Sequence, residues 1–447
     1  MKTRVIKTAS NAKAVQVVRY QNNKRLVLKH IGSAHNEAEL KDLMLLADEW
    51  IKCYAGQLSI FPDEDPNRLL HLNHCSFLGI RYNYFYRQIK RIQAEIGFDV
   101  LPSLLQDLCA IRVFEPASKL RSLDLLDQYF SISHSRKTYY RIAPKCIEVK
   151  KTVEDKVVQF ARKHYAFSFD LLFYDVTTLY FETFKEDELR KNGFSKDNKS
   201  QQPQILVALM VTKEGFPIAY DVFPGNTFEG NTIIPVIKDF IGNYGVKDFT
   251  VVADAAMISS ENVRQLKENN INYIVGARLG NISAALIDTI DERIERVDGR
   301  SIRLITDSGF LVCSYSSVRY RKDLFEMDKQ ITNANQMIAN PSKGKKLKFT
   351  NIEDQKIKLN QALIEKTKKL LGIKGYFTNM EEHVVDDRTI IERYHDLYKI
   401  EQAFRISKND LETRPVFHFK EQPIKLHLLI CFMALVISKH IELKTGV

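Results

Sequence analysis

The sequence predicts an α/β protein built on a mixed β-sheet, preceded by a mainly helical N-terminal region. Residues 36–165 carry the apolar spacing of amphipathic helices, as in "EAELKDLMLLADEWI". At about residue 168 the pattern changes to apolar, aromatic and β-branched residues, as in "FDLLFYDVTTLYF", which is typical of a strand covered on both faces. Three such strands follow one another, and later strands alternate with helices, which predicts a sheet flanked by helices.

The N-terminal region begins with a predicted β-hairpin. Residues 14–31 form two strand-like runs around Asn22 and Asn23, two residues that favour turns. Later in this region the stretch "ISHSRKTYYRIAPK" is basic and aromatic. It predicts either the turn and reading helix of a DNA-binding module or an ordinary exposed loop and helix, and the sequence leaves both interpretations open.

The strands of the predicted sheet have short connections at first and long ones later. After the strand "FDLLFYDVTTLYF" come "QILVALMV" and "PIAYDVFPG", which we expect to form an antiparallel meander. The helix "TIIPVIKDFIGNY", the strand "DFTVVADAAM", the helix "SENVRQLKENN" and the strand "NYIVGAR" follow. This alternation predicts strands joined through helices, as in an α/β sheet.

The C-terminal part is less regular. Residues 287–318 suggest short strands, residues 319–371 are lysine-rich and mostly helical, and residues 375–380 suggest another strand. The final apolar run "LHLLICFMALVI" is shorter than the roughly 20 residues of a membrane span. We therefore expect a buried core helix there.

Composition and charge indicate the class of partner and the compartment. The 447 residues carry a formal net charge of +11, which favours a polyanion such as nucleic acid as partner. The six cysteines are scattered without a CxxC pair, so neither a disulfide framework nor a structural zinc site is expected. The start, "MKTRVIKTASNAK", lacks the apolar segment of a signal peptide. We expect a cytoplasmic protein without a membrane partner.

Two aspartates stand out because aspartate is depleted in strands and a buried carboxylate is costly unless it is paired or binds a metal. Asp175 lies inside "LLFYDVTTLY", and Asp254 ends "FTVVAD". Asp254 has an alternative role, as the cap of the helix starting near Ser259 or of the turn before it. Asp170 and Asp221 lie near strand ends or a polar edge and are weaker candidates.

Two aspartates on neighbouring strands, joined by a glutamate from a helix, can hold two Mg²⁺ ions for phosphodiester chemistry. The motifs of rival nucleotide chemistries are absent from the sequence: it has no GxxxxGK[ST] loop and no GxGxxG after a strand. It also lacks HExxH and the GxSxG elbow of a serine nucleophile.

The glutamate candidate is Glu401 in "YKIEQAFRISKNDL". In a helix that advances by about 100° per residue, five residues of mixed chemistry lie within roughly 40° of Glu401 around the helix axis. That set is Tyr394, Leu397, Glu401, Arg405 and Lys408. A second stripe about 80° away predicts a surface that packs on the sheet. Its members are Leu397, Ile400, Phe404 and Leu411. Alternatively, Glu401 and Arg405 form only an exposed pair, which contributes a few tenths of a kcal/mol.

The stretch "YHDLYKIEQAFRISK" resembles the Tyr-Arg-Glu-Lys signature of DDE transposases of bacterial insertion sequences. Tyr394, Glu401 and Lys408 match the signature, whereas Leu397 stands in the arginine position. "FYDVTTLYFE" and "VVADAAMISSEN" resemble the first- and second-aspartate strands of the same family. The resemblance covers roughly residues 165–435.

This resemblance implies a ribonuclease H-like fold and a set of site residues. Asp175, Asp254 and Glu401 would be the catalytic residues that bind Mg²⁺, two ions in all, with Mn²⁺ as an alternative. Tyr394, Arg405 and Lys408 would contact DNA, with Arg405 as the conjectured replacement for the missing arginine.

The resemblance also implies a domain organisation. Residues 1–150 would form the hairpin and the helical region that binds DNA ends. Residues 165–285 and 375–447 would form the catalytic domain. The gap between Asp254 and Glu401 is too long for one strand and one helix, so residues 286–374 would be an inserted domain.

The implied function is that of a DNA transposase, which cleaves the ends of an element and joins the freed 3′-hydroxyl to target DNA. Its partners would be double-stranded terminal repeats and target DNA, and it would act as a homodimer at the nucleoid. Two alternatives remain at this point. One is a nuclease of the same fold without strand transfer; the other is a decayed or truncated DNA-binding derivative, because the chain ends at Val447 soon after an apolar helix.

Overall fold

The computed structural model describes most of the chain. The described residues are 1–21, 24–55, 79–193, 201–246, 249–257, 259–339, 347–353 and 356–446. The chain divides into two compact units, Met1–Gly79 and Ile80–Val447.

The first unit contains an antiparallel three-stranded sheet and one helix. Its elements are β1 (Lys2–Lys7), β2 (Lys13–Gln21), β3 (Lys24–Ala34) and α1 (Glu37–Tyr54). The predicted hairpin is confirmed as β2 and β3, which pair antiparallel; its turn residues lie outside the described part of the chain. Strand β1, which the sequence pattern did not indicate, pairs with β2. Val15, Val17 and Ala47 are buried where α1 packs on β2 and β3.

The second unit begins with five helices, as the apolar periodicity predicts. They are α2 (Asn83–Ile96), α3 (Ser103–Phe114), α4 (Lys119–Phe130), α5 (Arg136–Ile147) and α6 (Lys150–Tyr165). The basic and aromatic stretch after α4 forms α5, whose N-terminus is capped by Ser135: the Ser135 hydroxyl accepts a hydrogen bond of 3.1 Å from the Thr138 N–H. A role for α5 in reading DNA stays a prediction.

A mixed sheet and the helices around it make up the rest of the second unit. Up to residue 293 these are β4 (Leu171–Tyr180), β5 (Gln204–Thr212), β6 (Pro217–Pro224), α7 (Ile233–Tyr244), β7 (Thr250–Ala253), α8 (Ser260–Glu268), β8 (Asn272–Ala277) and α9 (Ala284–Arg293). From residue 301 on they are β9 (Ser301–Thr306), β10 (Gly309–Tyr315), α10 (Ser317–Ala339), β11 (Thr350–Glu353), β12 (Lys356–Leu359), α11 (Gln361–Lys369), β13 (Ile373–Thr378), α12 (Asp387–His395), α13 (Tyr398–Arg405) and α14 (Glu421–Thr445).

The main sheet has eight strands in the order β6-β5-β4-β7-β8-β13-β10-β9. Strand β4 pairs antiparallel with β5, and β5 with β6, so the predicted meander is confirmed. Strand β7 pairs parallel with both β4 and β8. The first five strands of the sheet therefore have the ribonuclease H-like order, and the predicted α/β class with a helical N-terminal region is confirmed.

The region between residues 286 and 374 contributes both to the main sheet and to a small separate core. Strands β9 and β10 extend the main sheet beyond β13. Helices α10 and α11 instead enclose a small core of their own. Its buried members are Met327, Ala334, Phe349, Ile364 and Leu371. The predicted boundaries of the domains, including the inserted domain, stay predictions.

Helix α14 contributes a long run of buried residues to the second unit's core. With 25 residues, the helix is long and apolar enough to cross a membrane. The prediction that this segment is too short for a membrane span was therefore wrong. However, 83% of its most apolar window is buried inside the protein, against α3 and α5 among others. The predicted core helix is therefore confirmed by burial, because its apolar residues are covered by protein.

We expect Ile430→Ala to lower the free energy of unfolding by about 2–5 kcal/mol, because Ile430 is fully buried in α14 and truncation leaves a cavity. The matched control is Ile305→Ala in β9, where the side chain is 85% exposed and the change should stay within about 0.5 kcal/mol. Urea denaturation of the two variants measures the difference. Equal losses would contradict the assignment of α14 to the core.

Candidate active site

Asp175 and Asp254 lie at the same level of two neighbouring parallel strands. In the pairing of β4 with β7, Tyr174 lies opposite Ala253, so the next residue of each chain segment is one of the two aspartates. Neighbouring strands are about 4.8 Å apart, which brings the two carboxylates side by side. Asp175 is half-buried and Asp254 is exposed just beyond the end of β7.

Each aspartate is oriented by the backbone of the residue that follows it. The Val176 N–H donates to Asp175 Oδ1 at 2.8 Å, and the Ala255 N–H donates to Asp254 Oδ1 at 2.7 Å. The alternative role of Asp254 as the cap of the helix near Ser259 is wrong, because Ser259 caps α8 by accepting a hydrogen bond of 3.1 Å from the Asn262 N–H. The other half of that alternative, a role at the turn before the helix, agrees with the structure: Asp254 precedes a single turn, residues 255–257, and its carbonyl accepts a hydrogen bond of 3.0 Å from the Met257 N–H.

Glu401 reaches this edge of the sheet from α13, which packs against β4 and β5. Ile400, Ala403 and Phe404 are buried on the packing side, whereas Glu401 is exposed. The predicted apolar stripe is confirmed, since its four members are all buried: Leu397, Ile400, Phe404 and Leu411. Apolar packing of the helix thus determines where its single acid emerges.

The predicted single helix around Glu401 is divided into three segments. Helix α12 ends at His395, α13 begins at Tyr398, and a π-helical turn, Ile406–Asp410, follows α13. The prediction that all five residues share one helix face is therefore wrong for Tyr394 and Lys408, which lie outside α13. An advance of 100° per residue holds only within a continuous α-helix. The wider turn redirects the side chains that follow it, and π-turns are frequent at functional sites.

Lys408 lies in the π-helical turn and reaches back to the first-aspartate strand. Its Nζ donates to the Thr177 hydroxyl, two residues beyond Asp175 on β4, and lies 5.9 Å from the centre of the Phe404 ring. Arg405, the other predicted cation, is exposed. The structure therefore brings Lys408 to the aspartates' strand and leaves Arg405 on the surface.

Tyr394 is buried beside Asp254. Its hydroxyl donates to Asp254 Oδ1 at 3.4 Å, and its ring centre lies 4.9 Å from that of Tyr376. Burial raises the pKa of Tyr394 first, and the negative charges of Asp254 and Glu401 raise it further. Its hydroxyl therefore stays protonated and acts as a donor; contact with DNA stays a prediction.

Lys374 on β13 is a member of the site that sequence reasoning missed. Its Nζ lies 4.7 Å from the centre of the Tyr394 ring. Burial lowers the pKa of Lys374, with Arg319 adding to the effect, while the charges of Asp254 and Glu401 oppose it. Both carboxylates are therefore within electrostatic reach of one ammonium. A lysine inside an otherwise apolar strand was the available signal.

Comparison with known proteins supplies the family. A family model described as the transposase DDE domain matches residues 167–437, which is more than half of the chain. The chain belongs to the transposase DDE-domain family. The predicted family is thereby confirmed, and it places the chain among enzymes that act on DNA.

Other comparisons add little to the family match. No curated protein matches the sequence significantly. A cryo-EM structure of a piggyBac transposase synaptic complex with hairpin DNA is similar to this chain at 12% sequence identity and a TM-score of 0.43. The similarity covers 83% of this chain and 75% of that one.

The donor set of this transposase domain fits a divalent ion at the two aspartates. Hard cations such as Mg²⁺ take oxygen ligands, and Asp175 and Asp254 present carboxylates at one level of adjacent strands. Within the described part of the chain, no three or more side chains of His, Cys, Asp or Glu are close enough to share an ion. The charge of Glu401 acts on the same ammonium as that of Asp254, the Lys374 side chain.

The close packing of Gly276 on Tyr394 gives a test of the site's geometry. A Cβ added at Gly276 in β8 would overlap the Tyr394 hydroxyl oxygen and lie 3.1 Å from the ring carbon that carries it. We expect Gly276→Ala to cost about 1–3 kcal/mol in the free energy of unfolding, because the ring must move. Thermal or urea denaturation measures this cost.

A double-mutant cycle with Tyr394→Phe is the control. Removing the hydroxyl removes the closest overlap, so Gly276→Ala should cost less in the Tyr394→Phe background than in the wild type. Equal costs in both backgrounds would contradict the placement of Tyr394 against β8 and Asp254.

Proposed function

We propose that this protein is a DNA transposase that cleaves DNA at the ends of an insertion sequence and joins the freed 3′-hydroxyl to target DNA. Asp175, Asp254 and Glu401 are its catalytic residues and the ligands of Mg²⁺. The observation that carries the proposal is that two aspartates lie side by side at the same level of paired parallel strands, in a chain of the transposase DDE-domain family. Mn²⁺ is the expected substitute because it also favours oxygen ligands.

Asp175 and Asp254 form the fixed half of the site, since both follow buried strand residues and accept hydrogen bonds from the backbone that follows them. Glu401 is the adjustable third carboxylate, carried on a helix between two breaks in helical geometry. When two divalent ions are bound to such oxygens, they activate the attacking oxygen and stabilise the leaving one.

Positive charge around the carboxylates suits a phosphodiester substrate. Lys408 approaches from the side of β4, and Lys374 approaches Asp254 and Glu401 from β13. Leu397 is buried in the packing stripe, so it leaves the family's arginine position without a cation. We propose that Lys374 and Lys408 together orient the DNA phosphate, with exposed Arg405 contacting DNA farther from the carboxylates.

The remaining parts of the chain have proposed roles in holding DNA. The net charge of +11 favours a polyanion partner, and the N-terminal region, including α5, is proposed to bind the terminal repeats. Lysines between residues 286 and 374 are proposed to contact the DNA backbone. Pairing of two DNA ends calls for a homodimer, and we propose that it forms in the cytoplasm at the nucleoid.

We expect Asp175→Asn, Asp254→Asn and Glu401→Gln to lower the rate of DNA-end cleavage at least about 100-fold, because loss of groups that merely support metal ligands already costs 10–100-fold. DNA binding, measured by fluorescence anisotropy, should persist. The matched control is Asp170→Asn, at the other end of β4, where the carboxylate bonds to Ser168 and cleavage should be unchanged. Normal cleavage by any of the three variants would exclude that residue from the site.

A strand-transfer assay with pre-cut DNA ends separates the transposase from a nuclease of the same fold. We expect joined products in Mg²⁺ or Mn²⁺ and none in EDTA, because the 3′-hydroxyl replaces water as the attacking group in the same site. Gel analysis of labelled ends detects the joined strands. Cleavage of uncut ends without any joining would instead identify a nuclease.

A further inference from the structure

Two adjoining cavities lie in the second unit where α4, α5 and the start of α14 meet. The larger has a volume of about 350 Å³, and its walls include Tyr139, Tyr140 and Phe417. The smaller has a volume of about 40 Å³ and is lined by basic side chains, among them Arg112 and Lys119. Lys119 and Phe417 belong to both walls, so the cavities adjoin; together they are called the chamber, and the smaller cavity is its basic end.

The basic end contains hydrogen-bond donors that are not all matched by acceptors of the described residues. Arg112 is 3% exposed; one of its terminal nitrogens donates to the Ala117 carbonyl at 2.7 Å, but its buried Nε has no partner in the described part of the chain. Lys119 is also 3% exposed, and its Nζ donates to His427 Nδ1 at 3.0 Å. An ammonium has three donors, so this bond leaves Lys119 with donating capacity.

The neighbouring histidines are held neutral and do not act as counter-charges. His427 Nε2 donates to the Thr413 carbonyl at 2.9 Å, which leaves Nδ1 as the acceptor for Lys119. Burial, followed by the charges of Lys119 and Arg112, lowers the pKa of His418 to about 4. Both rings therefore add polar contacts around the two cations without adding charge.

Neither buried cation forms an ion pair with a carboxylate of the described residues. Glu412 lines the smaller cavity, but its side chain is exposed and pairs with neither of them. Burial, and then Arg112, lower the pKa of Lys119 to about 7. Buried unpaired cations are costly, and a bound anion would offset that cost.

The N-terminus of α4 lies at the basic end and favours negative charge. Lys119 is the first residue of α4, and Ser118, its cap, lines both cavities. Gln422 and Pro423, in the first turn of α14, line the larger cavity. The positive end of the α4 dipole therefore lies at the basic end, and that of α14 lies at the larger cavity.

The larger cavity suits a flat ring. Tyr140 and Phe417 are 64% and 62% exposed, so their rings stand at the entrance where an entering base can stack on them. Its volume lies at the lower end of the range of small-molecule sites. The smaller cavity holds on the order of three waters, comparable to the three terminal oxygens of a phosphate monoester.

We propose that this chamber binds a nucleoside monophosphate, with the phosphate on Arg112 and Lys119 and the base against Tyr140 and Phe417. The occupant is either a free nucleotide or the 5′-phosphorylated terminal nucleotide of a DNA strand, which present the same chemistry. The choice of a nucleotide over other phosphorylated rings rests on the DNA substrate proposed above. The site itself uses none of the three catalytic carboxylates.

The test is binding in EDTA, where cleavage cannot contribute. The probes are dAMP and dTMP, measured by calorimetry, and a short single-stranded oligonucleotide with or without a 5′-phosphate, measured by anisotropy. Wild-type protein should prefer the phosphorylated oligonucleotide at least about 10-fold, the effect of charge-assisted hydrogen bonds. Equal affinity for the dNMPs and the phosphorylated oligonucleotide identifies the free nucleotide as sufficient; binding of the oligonucleotide alone identifies a strand end.

Variants assign the binding to the chamber. Lys119→Met, which nearly conserves volume, should weaken the phosphorylated probe about 10-fold or more and remove the preference for phosphate. Tyr140→Ala and Phe417→Ala change exposed side chains, and each should weaken binding of the phosphorylated probe about fivefold or more. These two variants test the proposal even if Lys119→Met does not fold. The control Phe184→Ala, 78% exposed between β4 and β5, should bind as wild type.

No preference for the 5′-phosphate together with no binding of dNMPs would overturn the proposal. Unchanged binding in Tyr140→Ala and Phe417→Ala would also overturn it. Binding is measured in EDTA and the chamber variants lie outside the carboxylate site, so a failure of the catalytic assignment would not alter this result. Conversely, loss of nucleotide binding in the chamber variants says nothing against the carboxylate site.

Discussion

The side-by-side placement of Asp175 and Asp254 depends on the parallel pairing of β4 with β7, in which Tyr174 lies opposite Ala253. The four residues before Asp175 are all buried, which means that both faces of the strand are covered there, so a slip by one residue would move each apolar side chain to the opposite face and disrupt its packing. The same pairing fixes which carboxylates meet. Core packing of the sheet therefore fixes the position of the site. The helices pack against this frame.

Glu401 and its neighbours are fitted to that frame by a helix of unusual shape. The buried stripe holds α13 on the sheet, and α13 lies between a break after His395 and the π-helical turn that carries Lys408. Tyr394 becomes a buried donor to Asp254, while Lys408 turns toward β4. A helix that is rigid on one side and irregular at its ends can place an acid accurately and still permit it to approach an ion.

The basic groups of the second unit fall into two separate environments. Lys374 stands near the carboxylates of Asp254 and Glu401, whose charge opposes the effect of its burial, and Lys408 contacts Thr177 on the strand of Asp175. Arg112 and Lys119 are more deeply buried and lie among neutral histidines and the N-terminus of α4 instead. The first environment suits a substrate phosphate beside bound cations, and the second suits an anion that supplies the missing negative charge itself. One basic protein can in this way contact a nucleic acid through two chemically different sites.

The sequence by itself determined the elements and the acids, because both follow from local patterns. Alternating and continuous apolar runs predicted β4 to β8 and the meander, and aspartates inside such runs marked Asp175 and Asp254. Helical periodicity left Glu401 open to the alternative of an exposed ion pair, and its place in the site came from the resemblance of the spaced motifs around all three acids to the family. Tertiary structure alone decided the rest. Lys374, distant in sequence, joins the site only because β13 pairs with β8. The contact of Tyr394 with Asp254 and the contact of Lys119 with His427 also join distant segments, which no local pattern encodes.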